Sequence, residues 1–436
     1  MTSGFLRIRG GRPLQGEVTV RGAKNVIPKA MVASLLSRDK SILRNVAEIE
    51  DVGIVSEMIN LIGGSVKELG DGILELESRE LKSVSAEKLE SIAGKSRIPI
   101  LFAGPLLART GEAFIPELGG CQIGKRPIDF HLSALRQLGA TVKAVPGGLH
   151  LTAERLAGCK IRLSFPSVGA TEQVLFASVL AEGVTELSNA AIEPEIIELV
   201  ALLQKMGAII SVDVDRVITV TGVSELKGFD HVVMTDRLEA ASWALAAAVT
   251  GGEIFVRHAR QLEMMTFLNR FRQVGGAFSV RPNGILFVRA GELIATALET
   301  DVHPGFMTDW QPPFTILLTQ ARGASIVHET VYENRFGYTE TLRQMGAQIQ
   351  LFRECLGSKH CRFGHKNYLH SAVIVGPTRL TAREIVIPDL RAGFSYIIAA
   401  LAAEGVSTIK NVNVIDRGYE HFLGKLSALG ADILEN

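Results

Sequence analysis

The chain reads as an α/β protein of two domains, each built from three copies of one helix-strand-helix-strand unit. Three observations lead there. A glycine pair or Gly-Ala led by a bulky apolar residue recurs six times, as IGGSVKEL (62–69), LGATVKAV (138–145), MGAIISVD (206–213), VGGAFSVR (274–281), MGAQIQLF (345–352) and LGADILEN (429–436). Each copy continues with apolar residues at a period of two, the pattern of a strand leaving a helix that the glycine caps. Upstream of each copy stands a second short strand-like run, and upstream of that an apolar stretch of helical length.

The upstream strands are SILRNV (41–46), EAFIPEL (112–118), TELSNA (185–190), EIFVRH (253–258), SIVHET (325–330) and STIKNV (407–412). The helical stretches are 26–36, 98–108, 172–181, 239–249, 313–320 and 394–403. They are apolar on nearly every face, with Ala and Gly where neighbours must approach, so they read as buried helices rather than amphipathic surface ones. A boundary near 230–238 leaves three copies on either side. The expected domains are 24–235 and 1–23 plus 236–436, joined by a hinge near 21–24 and 233–237, with an initial strand at 5–8 pairing with the C-terminal half.

A chain of 436 residues is long enough for two separate cores. Lysine plus arginine equals aspartate plus glutamate at 46 each. No global field therefore favours nucleic acid or a membrane surface, and an anion site has to be a local cluster. The N-terminus lacks a basic segment followed by an apolar run, and charges or glycines interrupt each apolar stretch, so neither export nor membrane spanning is expected. Four cysteines without framework spacing (Cys121, Cys159, Cys355, Cys361) fit a soluble cytoplasmic protein. Oligomeric state is not legible.

Function is expected in the loops that enter the six buried helices: RGAKN (21–25), GKSR (94–97), PSVGAT (166–171), TDRLE (235–239), HPGFMTDWQ (303–311) and IPDLRAG (387–393). Helix N-termini present N–H groups and a positive dipole end, which favour phosphate and carboxylate. Lys24, Arg97 and Arg391 at such positions suit an anionic substrate, and Arg126, Arg335 and Arg417 add guanidinium forks. Asp236, Asp309 and Asp389 also match plain helix N-caps, and only their clustering with these cations argues for Asp309 and Asp389 in a polar cleft. In LGGCQIGKRPID (118–129), Cys121 lies between a glycine pair and the cations Lys125 and Arg126, surroundings that favour a thiolate and fit a proton donor, a nucleophile or a pocket wall.

RGAKN, GGCQIGKRPIDFH, SVGATE, AIEPEI, DRLEA, HPGFMTD, ENRF, DLRAG and IDRGYE stand in the order seen in the UDP-N-acetylglucosamine 1-carboxyvinyltransferases, and the chain resembles that family over its whole length. The resemblance implies the enolpyruvyl transferase fold, two inside-out α/β barrels of three repeats each. It implies transfer of the enolpyruvyl group of phosphoenolpyruvate to the 3-hydroxyl of UDP-N-acetylglucosamine with release of phosphate, the first committed step of peptidoglycan precursor synthesis, without a cofactor or metal. By resemblance Cys121 is the acid, the site of the phosphoenolpyruvate adduct and the target of the epoxide fosfomycin, and Asp309 is the base. Lys24, Arg126 and Arg417 match residues at the phosphate; Arg97, Arg335 and Arg391 match further anion contacts; Asn25 and Asp389 match residues that hold substrate and lysine. For the nucleotide sugar the matching positions are Arg126, Pro127, Ile128, Asp129 and Phe130, then Ser167, Val168 and Gly169, and Val331.

The chain departs from the family pattern at Phe165 and Ile192, where many relatives carry lysine and arginine, and at Trp310 with Pro312 and Pro313. These departures bear on the acceptor and leave a paralogue acting on another nucleotide or sugar, or a silent binding homologue, as alternatives. The segment 354–370, ECLGSKHCRFGHKNYLH, is long and rich in histidine. Cys355, Cys361, His365 and His370 fit zinc spacing loosely, and a solvated hairpin is the expected form.

Overall fold

The computed structural model describes residues 5–85, 88–89, 92, 96–119, 127–359, 361–388 and 390–434, with backbone placement alone at 390–392 and 416–417. The chain divides into two compact units, one of Gly22–Gly120 with Arg126–Met234, the other including Met1–Arg21 and Thr235–Asn436. Each is an α/β body with its own hydrophobic core. Among the described residues no helix is long and apolar enough to cross a membrane.

The six glycine signals all end helices. Gly63, Gly139, Gly207, Gly275, Gly346 and Gly430 have φ between 82° and 105°, a left-handed conformation that costs other residues about 1 kcal/mol or more. In the first copy Gly63 N–H donates to Asn60 O and Gly64 N–H to Ile59 O, closing the last turn of helix Glu50–Leu61. The same pair of bonds closes Asp129–Gln137, where Gly139 and Ala140 donate to Arg136 and Leu135, and Pro194–Lys205, where Gly207 and Ala208 donate to Gln204 and Leu203. Glycine is needed here because the chain must reverse sharply from helix into strand.

The first five of these glycines lead into a hairpin rather than the single strand expected. Ser65–Gly70 returns as Ile73–Glu77, Thr141–Val145 as Gly148–Thr152, Ile209–Asp213 as Val217–Thr221, and Gly276–Arg281 as Gly284–Arg289. The returning strand lies between its partner and the upstream strand of the same copy, as in the order Ile209–Asp213, Val217–Thr221, Val184–Ser188, Lys160–Arg162. In the last copy Phe5–Arg9 is the returning strand, antiparallel to both Val406–Lys410 and Asp432–Leu434. A parallel strand completes five of the sheets: Lys160–Arg162, Ala297–Glu299 and Glu384–Val386 each precede a buried helix and pair beyond it. The other two are exchanged at the crossings, Gln15–Thr19 pairing with Glu253–Arg257 and Asp230–Val232 with Ser41–Arg44.

The apolar helices run through the core. In Arg237–Thr250 every residue but the last is buried, and Trp243 meets Phe394 edge-on with ring centroids 4.8 Å apart. Helix Ala103–Thr110 packs on Val168–Ser178, and a Cβ at Gly104 would stand 2.9 Å from Phe176 Cβ, so that approach requires glycine. The companion helices are one-sided; Glu50–Leu61 buries Ile54, Val55, Met58 and Ile59. Sheets and one-sided helices thus enclose buried helices, which is the inside-out arrangement.

The fifth copy departs from the others. Its hairpin strands Gln348–Phe352 and Ser371–Gly376 pair normally, but residues 353–370 intervene where the other four hairpins turn within two or three residues. The solvated hairpin expected there is not formed. Among its described residues the segment is turns and bends without a strand, Phe363 and His370 are buried, and Cys355 and Cys361 are half-buried. It folds back because Glu299, at the end of the neighbouring strand, accepts from Ser358 N, Ser358 Oγ and Lys359 N at 2.8–3.1 Å.

Candidate functional site

In the unit containing Thr235–Asn436, Asp309 and Arg335 join two residues that no sequence pattern marks, Glu329 and Thr308. Asp309 lies in the turn Thr308–Trp310 ahead of helix Gln311–Thr319, and neither element has a side-chain N-cap bond. Its Oδ1 instead accepts from Arg335 Nη2 at 2.8 Å, with the two side chains only 10% and 2% exposed. Glu329, fully buried at the end of strand Gly323–His328, accepts from Val331 N at 2.8 Å, Tyr332 N at 3.0 Å and Thr308 Oγ1 at 2.9 Å. Burial pushes the Glu329 carboxyl up, while Tyr332 N–H and the Arg335 charge pull it down. The result is a rigid lattice: strand end, loop and helix start are tied through one carboxylate, and Arg335 orients Asp309 against them. Val331, half-buried, has its N–H engaged in this way.

Asp236 differs from Asp309. It is a helix cap, its Oδ1 accepting from Leu238 N at 2.8 Å and Glu239 N at 3.1 Å. Trp310, whose position promised a bearing on acceptor choice, is 2% exposed and packs among Phe267, Phe306 and the Arg237 guanidinium 5.2 Å away. It is a core residue, and Pro312 and Pro313 occupy the first turn of a helix, where a missing N–H costs nothing. Arg391 lies in the first turn of helix Leu390–Ala402 and Arg417 ends the short helix Val412–Arg417; their side chains lie outside the described atoms. Asp389 lies outside the described residues.

In the other unit, the RGAKN loop is stitched by its backbone. Gly22 N–H donates to Asn45 O at 3.0 Å and Ala23 N–H to Met234 O at 2.8 Å. A Cβ on Gly22 would come 2.1 Å from Asn45 O, so only glycine fits. Lys24 and Asn25 are then held half-buried in the turn before helix Ile27–Ala33. Arg97, also half-buried, sits at the start of Ile98–Phe102. Cys121 and Arg126 lie outside the described residues.

Pro127 and Asp129 are exposed at the start of helix Asp129–Gln137, while Ile128 and Phe130 are half-buried and pack against the core. Ser167 caps helix Val168–Ser178, its Oγ accepting from Ala170 N at 3.3 Å, and Val168 is exposed. A Cβ on Gly169 would stand 2.9 Å from Cε1 and Nε2 of His131, so this helix start and His131 touch. The His131 imidazole is pushed down to about 4, by burial first and the Arg97 charge second, against a hydrogen bond with Gln173. Arg97, His131 and the 167–169 turn therefore share one neighbourhood. Sequence reasoning missed His131, although it closes the GGCQIGKRPIDFH motif on which the resemblance partly rests.

Helix Val168–Ser178 also carries Glu172, buried with Oε1 4.0 Å from Lys29 Nζ. Burial drives its carboxyl up to about 7, Lys29 opposes, and Glu195 and Glu193 add to the rise. Such buried carboxylates are invisible in a sequence pattern, since nothing in SVGATE or AIEPEI says which glutamates face inward.

The family model for EPSP synthase (3-phosphoshikimate 1-carboxyvinyltransferase) matches residues 8–426. The UDP-N-acetylglucosamine 1-carboxyvinyltransferase of Protochlamydia amoebophila is 52% identical over 98% of this chain and 93% of its own. That of Chlamydia pneumoniae is 47% identical over 96% and 92%. Among solved structures, the enolpyruvyl transferase NikO from Streptomyces tendae superposes with a TM-score of 0.86 at 21% identity, covering 99% of this chain and 98% of that one. An EPSP synthase from Acinetobacter baumannii does so with 0.73 at 17% identity, covering 99% of each. These two likenesses are of fold.

Proposed function

The chain belongs to the EPSP synthase family and, within it, to the UDP-N-acetylglucosamine 1-carboxyvinyltransferases, and from that membership we propose that it transfers the enolpyruvyl group of phosphoenolpyruvate to the 3-hydroxyl of UDP-N-acetylglucosamine in the cytoplasm, opening peptidoglycan precursor synthesis. The observation that carries this reading is near-complete coverage at 52% identity by a relative of that name.

The chemistry sets the roles. The 3-hydroxyl oxygen bonds to C2 of phosphoenolpyruvate as its proton passes to a base and C3 gains a proton from an acid, giving a tetrahedral ketal. The C2–O bond to phosphate then breaks, C3 loses a proton, and enol ether and phosphate result. Cys121 is the proposed acid and Asp309 the proposed base, which Arg335 orients through Oδ1. Lys24, Arg126 and Arg417 are assigned to the phosphate, and Arg97, Arg335 and Arg391 to other anionic oxygens, where fixed cations stabilise charge without reorganising. Asn25 and Asp389 hold substrate and Lys24 in register. The nucleotide sugar is assigned to Arg126 through Phe130, to Ser167, Val168 and Gly169, and to Val331. Helix Val168–Ser178 supports that assignment, because its exposed start suits a diphosphate.

The test is phosphate release from phosphoenolpyruvate with UDP-N-acetylglucosamine beside a panel of other nucleotide sugars and with shikimate 3-phosphate. Release with UDP-N-acetylglucosamine alone is expected. Release only with another acceptor would overturn the reading.

A further inference from the structure

The segment 353–370 brings four side chains of zinc-ligand type together outside the residues assigned above. The ligating atoms of His328, Cys355, Cys361 and His370 all lie within 4.8 Å of one another. Cys355 Sγ is 3.5 Å from Cys361 Sγ and 3.3 Å from His370 Nε2. A tetrahedral centre with bonds of about 2.3 Å to sulfur and about 2.0 Å to nitrogen spaces its ligand atoms about 3.3 to 3.8 Å apart. The observed spacing is close to that.

Both imidazoles are oriented from behind. His328 Nδ1 lies 3.1 Å from Glu299 Oε1 and His370 Nδ1 lies 2.9 Å from Tyr368 O, so each ring donates from Nδ1 and turns Nε2 inward. A carboxylate or carbonyl in that place is the usual support of a metal-bound histidine. Both histidines are fully buried, and His328 Nε2 has no hydrogen-bond partner among the described residues. A buried, unpartnered imidazole nitrogen costs stability unless a cation or proton donor meets it. Cys361 Sγ accepts from Phe363 N at 3.4 Å, a bond that favours thiolate. Two glycines allow the closure: a Cβ on Gly357 would come 2.2 Å from His328 Nδ1, and one on Gly364 3.3 Å from Cys355 Sγ.

We propose that His328, Cys355, Cys361 and His370 bind one zinc ion in a closed Cys2His2 site that fastens 353–370 to strand Gly323–His328. Two thiolates and two imidazoles, without a carboxylate, select zinc over magnesium or calcium. Binding releases the two thiol protons to solvent and leaves the four-ligand centre without net charge. With four protein ligands the ion has no position for substrate, so its role is structural. His328 adjoins Glu329, and Arg362 of the segment donates to Val331 O, so the ion braces the stretch that carries Glu329, Val331 and Arg335. His365, part of the spacing read from sequence, is exposed; the fourth ligand is His328 from the preceding strand.

The test uses the full chain, purified without a metal-affinity step, with metal measured by mass spectrometry. About one zinc per chain is expected, and Glu299→Gln should weaken zinc affinity about 10- to 100-fold by loosening His328. Cobalt exchanged into the protein should show thiolate charge transfer and tetrahedral ligand-field absorption. Cys361→Ser and His370→Asn should lose both zinc and the charge-transfer band, whereas His365→Asn and Cys159→Ser keep them. Should the ligand variants fail to fold, alkylation of the unaltered protein decides: zinc should shield Cys355 and Cys361, and a strong chelator should expose them. A metal-poor chain that takes up no zinc on addition, or zinc retained in folded Cys361→Ser and His370→Asn proteins, would overturn the site.

Discussion

Arg335 donates to Asp309 across 2.8 Å with both side chains withdrawn from solvent, and that contact leaves Asp309 outside the capping role its position before a helix would otherwise give it. A guanidinium with one carboxylate contact fixes orientation as well as charge. Arg335→Ala should therefore lower the phosphate-release rate by about 100-fold or more, the scale that misplacing a reacting group produces. Arg335→Lys should recover little, because an ammonium cannot reproduce the planar fork. Steady-state assay of both variants beside the parent checks this; near-parental activity in Arg335→Lys would reduce the contact to charge alone.

Cys121→Ser should largely abolish turnover near neutral pH, since a hydroxyl is a far weaker acid than a thiol. Fosfomycin should add once, at Cys121. Burial pushes the Cys159 thiol up, so it is not an activated nucleophile, and Cys355 and Cys361 are the residues assigned above to zinc. Intact mass and peptide mapping after treatment give the answer, and an adduct on any other cysteine counts against the assignment.

Glu172 gives the fold a pH dependence with a definite sign. Its carboxyl titrates at about 7 in the folded chain, against an ordinary value of 4.5. Between those values the folded chain holds a proton that the unfolded chain has lost, so stability falls as pH rises through that window, by up to about 3 kcal/mol from this group. Glu172→Gln should be as stable as the parent below pH 4.5 and more stable above pH 7. Urea unfolding at the two extremes measures the difference. Equal gains at both would show that the Glu172 carboxyl titrates in the folded chain where it does in the unfolded one.

The second buried pair predicts a loss on substitution. Lys425 Nζ lies 2.8 Å from Glu239 Oε1, which also accepts from Trp243 Nε1 at 3.1 Å, and burial pushes the Glu239 carboxyl up against the Lys425 charge. Lys425→Met should destabilise the fold by about 3 to 5 kcal/mol, because a buried carboxylate loses its partner. Adding Glu239→Gln should restore most of that. Thermal melts of the single and double variants read the coupling; additive losses would mean the two charges act separately.

The repeats, the buried helices and the glycine-ended helices are written in the sequence because each depends on local chemistry. A period of two, an apolar stretch and a residue able to adopt φ near 100° are all properties of neighbouring residues. The loops assigned to anions are legible for the same reason, since a helix start with a cation or N-cap is a short-range pattern. Similarity over nearly the whole chain to named relatives, at 47–52% identity, then adds the reaction.

Tertiary structure decided which strand closes each sheet, because pairing is a long-range choice: Phe5–Arg9 completes the last copy, and two edge strands are exchanged at the crossings. It separated Asp236 as a cap from Asp309 as an oriented carboxylate, moved Trp310 into the core and gathered Glu329 with Thr308. Above all it brought His328 to Cys355, Cys361 and His370. No spacing rule links a histidine on one strand to a loop that begins after the next, and only the register of Gly323–His328 against Ser371–Gly376, which sets His328 opposite Ser371 beside His370, places their nitrogens together.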